Sequence, residues 1–295
     1  MRTPLAIPNT HCLPRQQGFT LVELVFVLII ISIVGVGISS FMRATVLQYS
    51  EFVTRSKLLS DSSFIVERMS REITHAIPNS IRIKGNANAH CIEFVPNKWA
   101  TTYTKLPMQP STDTEIDVIR MEDINNTMFM PLMSNDYAFV YPMESADVYD
   151  ASRNKRQMIS ACSDDGDGDC NTDDDSDDII QLTVAGSFAQ SSPASRLYIA
   201  SNAVSYCVRN NQVFRHTSAL QTNQTLYTSG GVLMADNIAN TLSASPMTAT
   251  AASDDPFRWY DMGLRRNAFT RVLLVFSDNG QTISFMHEVH IPNVP

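Results

Sequence analysis

Apolar residues fall along this chain in three regimes, and each predicts a different element. Residues 19–42, FTLVELVFVLIIISIVGVGISSFM, are almost continuously apolar, and the 19 residues Leu24–Met42 carry no charged side chain. At a rise of 1.5 Å per residue that stretch makes about 28 Å of helix, the depth of one hydrocarbon core. Beyond Arg43 the apolar positions thin to Leu58, Ile65, Met69, Ile73 and Ile77, while Arg55, Lys57, Asp61, Glu67, Arg68, Arg71 and Glu72 lie mostly off that stripe. Steps of seven and four give one buried face of an α-helix running to about residue 77, where Pro78 stops it. From residue 79 onward short β-branched or aromatic runs take over: 80–83, 91–95, 116–119, 137–141, 179–184, 196–199, 204–208, 213–215, 231–235, 270–276 and 282–291. Asn210-Asn211 and Ser277-Asp278-Asn279-Gly280 supply tight-turn chemistry between runs. Polar stretches near 97–115, 145–178, 217–230 and 241–256 read as loops.

No long amphipathic pattern separates the strand runs, so the sheet is expected to be mainly antiparallel. The expected fold class is α+β: a long N-terminal helix, transmembrane and then amphipathic, packed on a β-rich head. Residues 1–18 are polar and Pro-broken, with Arg2 and Arg15 and no acid. A basic flank holds that end in the cytoplasm and sends the rest across the membrane. Nothing like Ala-x-Ala follows the apolar run, so it is expected to stay as an anchor.

Composition narrows the function. With 295 residues, 44% hydrophobic and 18% charged, the chain can bury a full core, as one large domain or two small ones. Lys plus Arg is 22 against 30 for Asp plus Glu, a net charge of −8. Nucleic acid is therefore not an expected partner, because binding it needs a basic face. Five cysteines are too few for a disulfide miniprotein and lack the paired close spacings of a zinc site.

Glu23 stands out, a lone carboxylate in an apolar run, where it costs several kcal/mol. Snorkelling or protonation at the membrane edge is one account; a cationic partner from another chain is the other. Gly18-Phe19-Thr20-Leu21-Val22-Glu23, with the basic leader before it and the apolar helix behind it, resembles the class III signal of type IV pilins and type II secretion pseudopilins. That resemblance implies a leader of residues 1–18, a cut by prepilin peptidase between Gly18 and Phe19, and N-methylation of Phe19. It implies a transmembrane helix half at 19–42, an amphipathic half at 43–77 and a pilin-like head at 78–295. It also implies that Glu23 pairs with the new N-terminal amine of a neighbouring subunit. The partners so implied are the peptidase, inner-membrane lipid before assembly, and other major and minor pilins along the N-terminal helix. The protein would sit in the bacterial inner membrane with its N-terminus cytoplasmic and its head periplasmic, and then enter a pilus or pseudopilus. Many pilins carry a Pro in the middle of the apolar helix; this chain has none there, though Gly35 and Gly37 can loosen the same turn. The segments RLYIASNAVSYCVRNNQVFRH, VLMADNIAN and FMHEVHIPNVP resemble the large minor pilins, the MshO type of mannose-sensitive haemagglutinin (MSHA) pili among them, with J-type pseudopilins and W-type minor pilins as relatives.

Outside the leader, which takes Cys12 with it, four cysteines remain, and an oxidising periplasm can pair them in three ways. Cys162 with Cys170, a short loop, and Cys91 with Cys207, both in strand runs, is the preferred set; free buried thiols are the alternative. Residues 163–178, SDDGDGDCNTDDDSDD, hold nine aspartates. Asp167, Asp169, Asn171, Asp173, Asp175 and Asp178 occupy positions 1, 3, 5, 7, 9 and 12 of a calcium-loop pattern, and a register from Asp165 also exists. Oxygen donors at that spacing suit Ca²⁺, although Thr172 stands where the pattern wants Gly; a solvated acidic loop is the other reading. No G-x-S-x-G, phosphate-cradling Gly-rich loop or H-E-x-x-H is present, so a non-enzymatic protein is expected. The expected function is a minor pilin at or near a filament tip. A J-type pseudopilin and a tip adhesin are the rivals.

Overall fold

The computed structural model describes residues 18–120, 135–164, 170, 178–246, 254–260 and 269–290. The chain divides into two compact units, Met1–Val53 and Thr54–Pro295. Helix α1 runs over Leu21–Thr74. In the first unit every described residue is exposed. Its apolar window has a mean hydropathy of 2.9, and among the described residues α1 alone is long and apolar enough to cross a membrane. Ser32, Ser40 and Thr45 turn their hydroxyls back onto the carbonyls of Leu28, Gly37 and Phe41 at 2.7, 2.9 and 2.8 Å, so these groups need no water.

In the second unit α1 buries Leu58, Ser62, Ile65, Met69 and Ile73. Ser62 fits an apolar stripe because its hydroxyl donates to the carbonyls of Leu58 and Leu59. Glu72 accepts from Arg68 Nε on the helix and from Arg215 Nε on a strand, both at 3.1 Å, and so ties the two elements together. The stripe does not reach Ile77 as helix. Pro78 pushes the residue before it into extended conformation, so α1 ends at Thr74 and the Ile77 N–H donates to the Val95 carbonyl at 2.8 Å. Ile77 is buried with Val95, Phe139 and Tyr149 in a cluster separate from the helix stripe.

In chain order the remaining elements are β1 (Arg82–Asn86), β2 (Ala89–Phe94), β3 (Trp99–Lys105), β4 (Glu115–Ile119), β5 (Tyr137–Val140), α2 (Ser145–Tyr149), β6 (Arg156–Ser163) and β7 (Ile179–Val184). Then follow β8 (Arg196–Ala200), β9 (Ala203–Arg209), β10 (Gln212–Ser218), β11 (Val232–Ala235), β12 (Phe257–Tyr260), β13 (Phe269–Asp278) and β14 (Gln281–His290). Every ladder between these strands is antiparallel. They form a five-stranded sheet β1-β2-β9-β10-β11, a three-stranded sheet β12-β13-β14 and a closed barrel β3-β4-β7-β6-β5-β8. The β9–β10 turn is Asn210-Asn211 at φ 48° and 60°, and the β13–β14 turn is Asn279-Gly280 at φ 48° and 78°. Positive φ at both central residues gives the twist that a two-residue hairpin needs.

The polar stretches expected as loops hide two barrel strands. In β3, Trp99-Ala-Thr-Thr-Tyr-Thr-Lys105, Tyr103 is the one fully inward residue, so the apolar signal is thin. In β6 a register shift between Ile159 and Ala161 breaks the period of two, leaving Ile159 and Cys162 both buried at a spacing of three. Strand β12, which follows Pro256, was not foreseen either.

The barrel lies in sequence between β2 and β9, which are neighbours in the five-stranded sheet. It is an insertion into that connection, with its own core of Ile116, Val118, Ile180, Leu182, Leu197 and their neighbours. Cys91 and Cys207 stand directly opposite each other on β2 and β9 and are disulfide-bonded across 116 residues, stapling the base of the insertion. Cys162 and Cys170, eight apart, form the second bond at the end of β6.

Two stability outcomes follow. Met69→Ala, at a fully buried position, should cost about 2–5 kcal/mol, read as a lower denaturant midpoint for loss of β-structure. By loop-closure entropy, removing Cys91 and Cys207 together should cost about 5 kcal/mol and removing Cys162 and Cys170 about half of that. Equal midpoint shifts for the two double variants would contradict the staple.

Candidate functional site

Gly18 and Phe19 precede α1 outside any helix or strand, both exposed, Phe19 by 82%. Thr20 is the N-cap: its Oγ1 accepts the N–H of Glu23 at 3.3 Å, while its carbonyl accepts the N–H of Leu24 at 3.1 Å. Thr20-x-x-Glu23 is thus a capping sequence, and Glu23 lies in the first helical turn, where unsatisfied N–H groups favour a carboxylate. This local role was legible as T-x-x-E but was not foreseen. It explains how the chain tolerates Glu23 without explaining its surroundings. Glu23 is exposed on an apolar helix, and among the described residues no cationic side chain pairs with it. Any cation that meets it comes from outside these residues.

The segment therefore offers three things together. The 18–19 peptide is accessible, and its Gly18 has no side chain to obstruct a peptidase. A cut there creates an amine at Phe19, next to the cap. Four residues on stands a carboxylate that pairs with no cation among the described residues.

Of the residues expected to hold Ca²⁺, only Asp178 is described. It is exposed with φ +53°, and its carbonyl accepts the Arg120 N–H at 2.8 Å. Asp165, Asp167, Asp169, Asn171, Asp173 and Asp175 lie outside the described residues. The ends of that connection are tied to one end of the barrel, through the Cys162–Cys170 bond and a buried Arg120–Asp164 ion pair. Among the described residues no group of three or more His, Cys, Asp or Glu is placed to hold a metal ion.

One cluster has the residue types of a hydrolase. His90, Asp255 and Ser243 converge, with the His90 and Asp255 side chains wholly buried. The order of bonds is wrong for a nucleophile and its base, however. The Ser243 hydroxyl donates to Asp255 Oδ2 at 2.8 Å, and His90 Nε2 meets the Ser243 carbonyl at 2.8 Å, not its hydroxyl. His90 ties the chain at residue 243 to β2.

A groove of about 450 Å³ opens between α1 and the edge strand β11, lined by Ser60, Asp61, Phe64, Leu233, Met234 and Asp236 among others. Phe64 is 57% and Leu233 50% exposed there. Neither pattern nor motif pointed to it, because β11 reaches α1 only through the sheet.

In comparisons with known proteins, the family described as the prokaryotic N-terminal methylation motif matches residues 13–39. No curated protein and no solved structure matches the chain. The matched span covers the accessible 18–19 peptide, the Thr20 cap, Glu23 and most of the apolar helix. It supports a pilin-type signal of the class that prepilin peptidase processes, at the head of a structural, membrane-anchored protein.

Proposed function

We propose that this chain is a minor pilin, cut between Gly18 and Phe19, methylated on Phe19 and built into a type IV pilus of the MSHA kind through its N-terminal helix. The observation that carries this reading is the wholly exposed apolar helix headed by a methylation motif whose Glu23 has no partner among the described residues. Before assembly, inner-membrane lipid covers the helix; afterwards neighbouring pilin helices do. Glu23 accepts the Phe19 amine of a neighbouring subunit, so two charges that are each expensive in hydrocarbon satisfy one another and set the register.

A minor rather than major role is supported by the head. The 218 residues after Ile77 include an inserted barrel that adds bulk the shaft does not need, and bulk is accommodated most easily at or near a tip. The resemblance of β8 to β10 to the MshO type of minor pilin supports the choice of machine. The acidic connection 163–178 is assigned Ca²⁺, held by Asp167, Asp169, Asn171, Asp173, Asp175 and Asp178.

Mass spectrometry of the N-terminus, from membranes with and without prepilin peptidase, tests the processing. N-methyl-Phe19 appearing only with the peptidase is the expected result, and an intact Met1 or a cut beyond residue 40 would refute it. Glu23→Ala should be processed normally yet recovered at least tenfold less in sheared filaments; unchanged incorporation would remove the charge pair from the mechanism. For the metal, Ca²⁺ should raise the Tm of the protein by several degrees and a chelator should reverse it. A Tm indifferent to both returns the acidic connection to solvent.

A further inference from the structure

Residues 219–231, which join β10 to β11, do not stand off the head. Arg82 on β1 donates to the carbonyls of Gln221 and Thr222 at 2.7 and 2.8 Å, and Lys84 donates to that of Gln224 at 2.9 Å. The Gln224 side chain is itself buried and donates to the Cys91 carbonyl at 3.1 Å. On the return leg Arg209 of β9, stacked 3.9 Å over the Phe214 ring, donates to the carbonyls of Gly230 at 2.6 Å and Tyr227 at 3.3 Å. The segment thus crosses the five-stranded sheet from β10 to β1 and comes back, a strap over the Cys91–Cys207 disulfide.

His216 on β10 closes the return leg. Its ring stacks on Tyr227, with centroids 4.0 Å apart and planes 12° apart, and its Nε2 lies 3.3 Å from Arg209 Nη1. A guanidinium can only donate, so Nε2 is the acceptor and the imidazole is neutral, with its proton on Nδ1. Gly231, at φ +84°, lies so close beneath the ring that a Cβ there would meet His216 Nε2 at 2.6 Å. Burial first, and then the Arg209 charge, hold the His216 pKa below its ordinary value.

We propose that His216 makes residues 219–231 an acid-released strap: protonation at Nε2 removes the acceptor, sets two cations 3.3 Å apart and frees the return leg, uncovering the sheet face that carries Phe214 and the Cys91–Cys207 disulfide. The groups facing the ring are Arg209 from β9 and Tyr227 from the strap itself. The carboxylate in the same cross-strand row is Glu93 on β2, beyond Ser205 of β9, and it already accepts from Arg82 and Ser205. Among the described residues, therefore, no carboxylate pairs with His216 to compensate the new charge. The sign follows from proton counting. The closed strap binds fewer protons than the open one, so closure is fully favoured at neutral pH and weakens as pH falls below the free-histidine value of about 6.5. The strap operates whether or not the chain enters a filament.

Hydroxyl-radical footprinting of the full-length protein in detergent tests this, at pH 7.5 and pH 5.0, with Phe285 on β14 as the internal reference. Phe214 and Tyr227 should be labelled at least threefold faster at pH 5.0 while Phe285 keeps its rate. His216→Gln, which keeps an acceptor that does not titrate, should show less than half of that change. Unchanged wild-type labelling, an equal gain in His216→Gln, or a gain shared by Phe285 would each overturn the proposal. If His216→Gln fails to fold, Arg209→Gln serves instead: the pH step should shrink to less than half, and an undiminished step overturns the proposal.

Discussion

The exposed apolar side chains of the first 22 residues of α1 and of Phe19 before it set the terms for everything else. From Phe19 to Met42, seventeen large apolar side chains are exposed. At about 1.5–3 kcal/mol each, leaving them in water would cost about 25–50 kcal/mol, several times the 5–15 kcal/mol that holds a domain folded. Something outside the fold must cover them, and the hydroxyls of Ser32, Ser40 and Thr45, folded back on the backbone, suit a covering that offers no hydrogen bonds. Lipid and other apolar helices both meet that description.

The polar residues at the head of the helix are consistent with the same environment. Thr20 satisfies one N–H of the first turn, and Glu23 sits where the helix end carries partial positive charge. These local contacts make the carboxylate tolerable within one chain. They supply no counter-ion among the described residues, and a counter-ion is what an amine newly created at Phe19 of another copy would be.

The head is organised around a different problem, that of attaching an inserted barrel to a sheet already packed on α1. The Cys91–Cys207 bond joins the strands on either side of the insertion. Lys98, just ahead of β3, reaches Asp136, just ahead of β5, at 2.7 Å, and Ser201, just after β8, donates to the same carboxylate. Tyr149 and Arg82 stack across the junction with 3.5 Å from the guanidinium to the ring centroid, and the buried Tyr149 hydroxyl donates to Ser80. Each contact joins residues far apart in sequence.

The features legible in the amino-acid order are local or periodic. The apolar run, the stripe from Leu58 to Ile73, the strand runs and the Asn-Asn and Asn-Gly turns all depend on residues within a few positions of one another. The fold class and the methylation motif over Gly18–Glu23 were legible for that reason. Tertiary structure alone decided that the strands form two sheets and a barrel, because β3 and β6 present thin or bulge-shifted apolar patterns that become strands only against β8 and β7. It alone decided that residues 219–231 lie across the sheet, since Arg82, Lys84 and Arg209 find their acceptors up to 140 positions away. Pattern reports which face a segment buries; which segment covers that face depends on the closed geometry of the whole head.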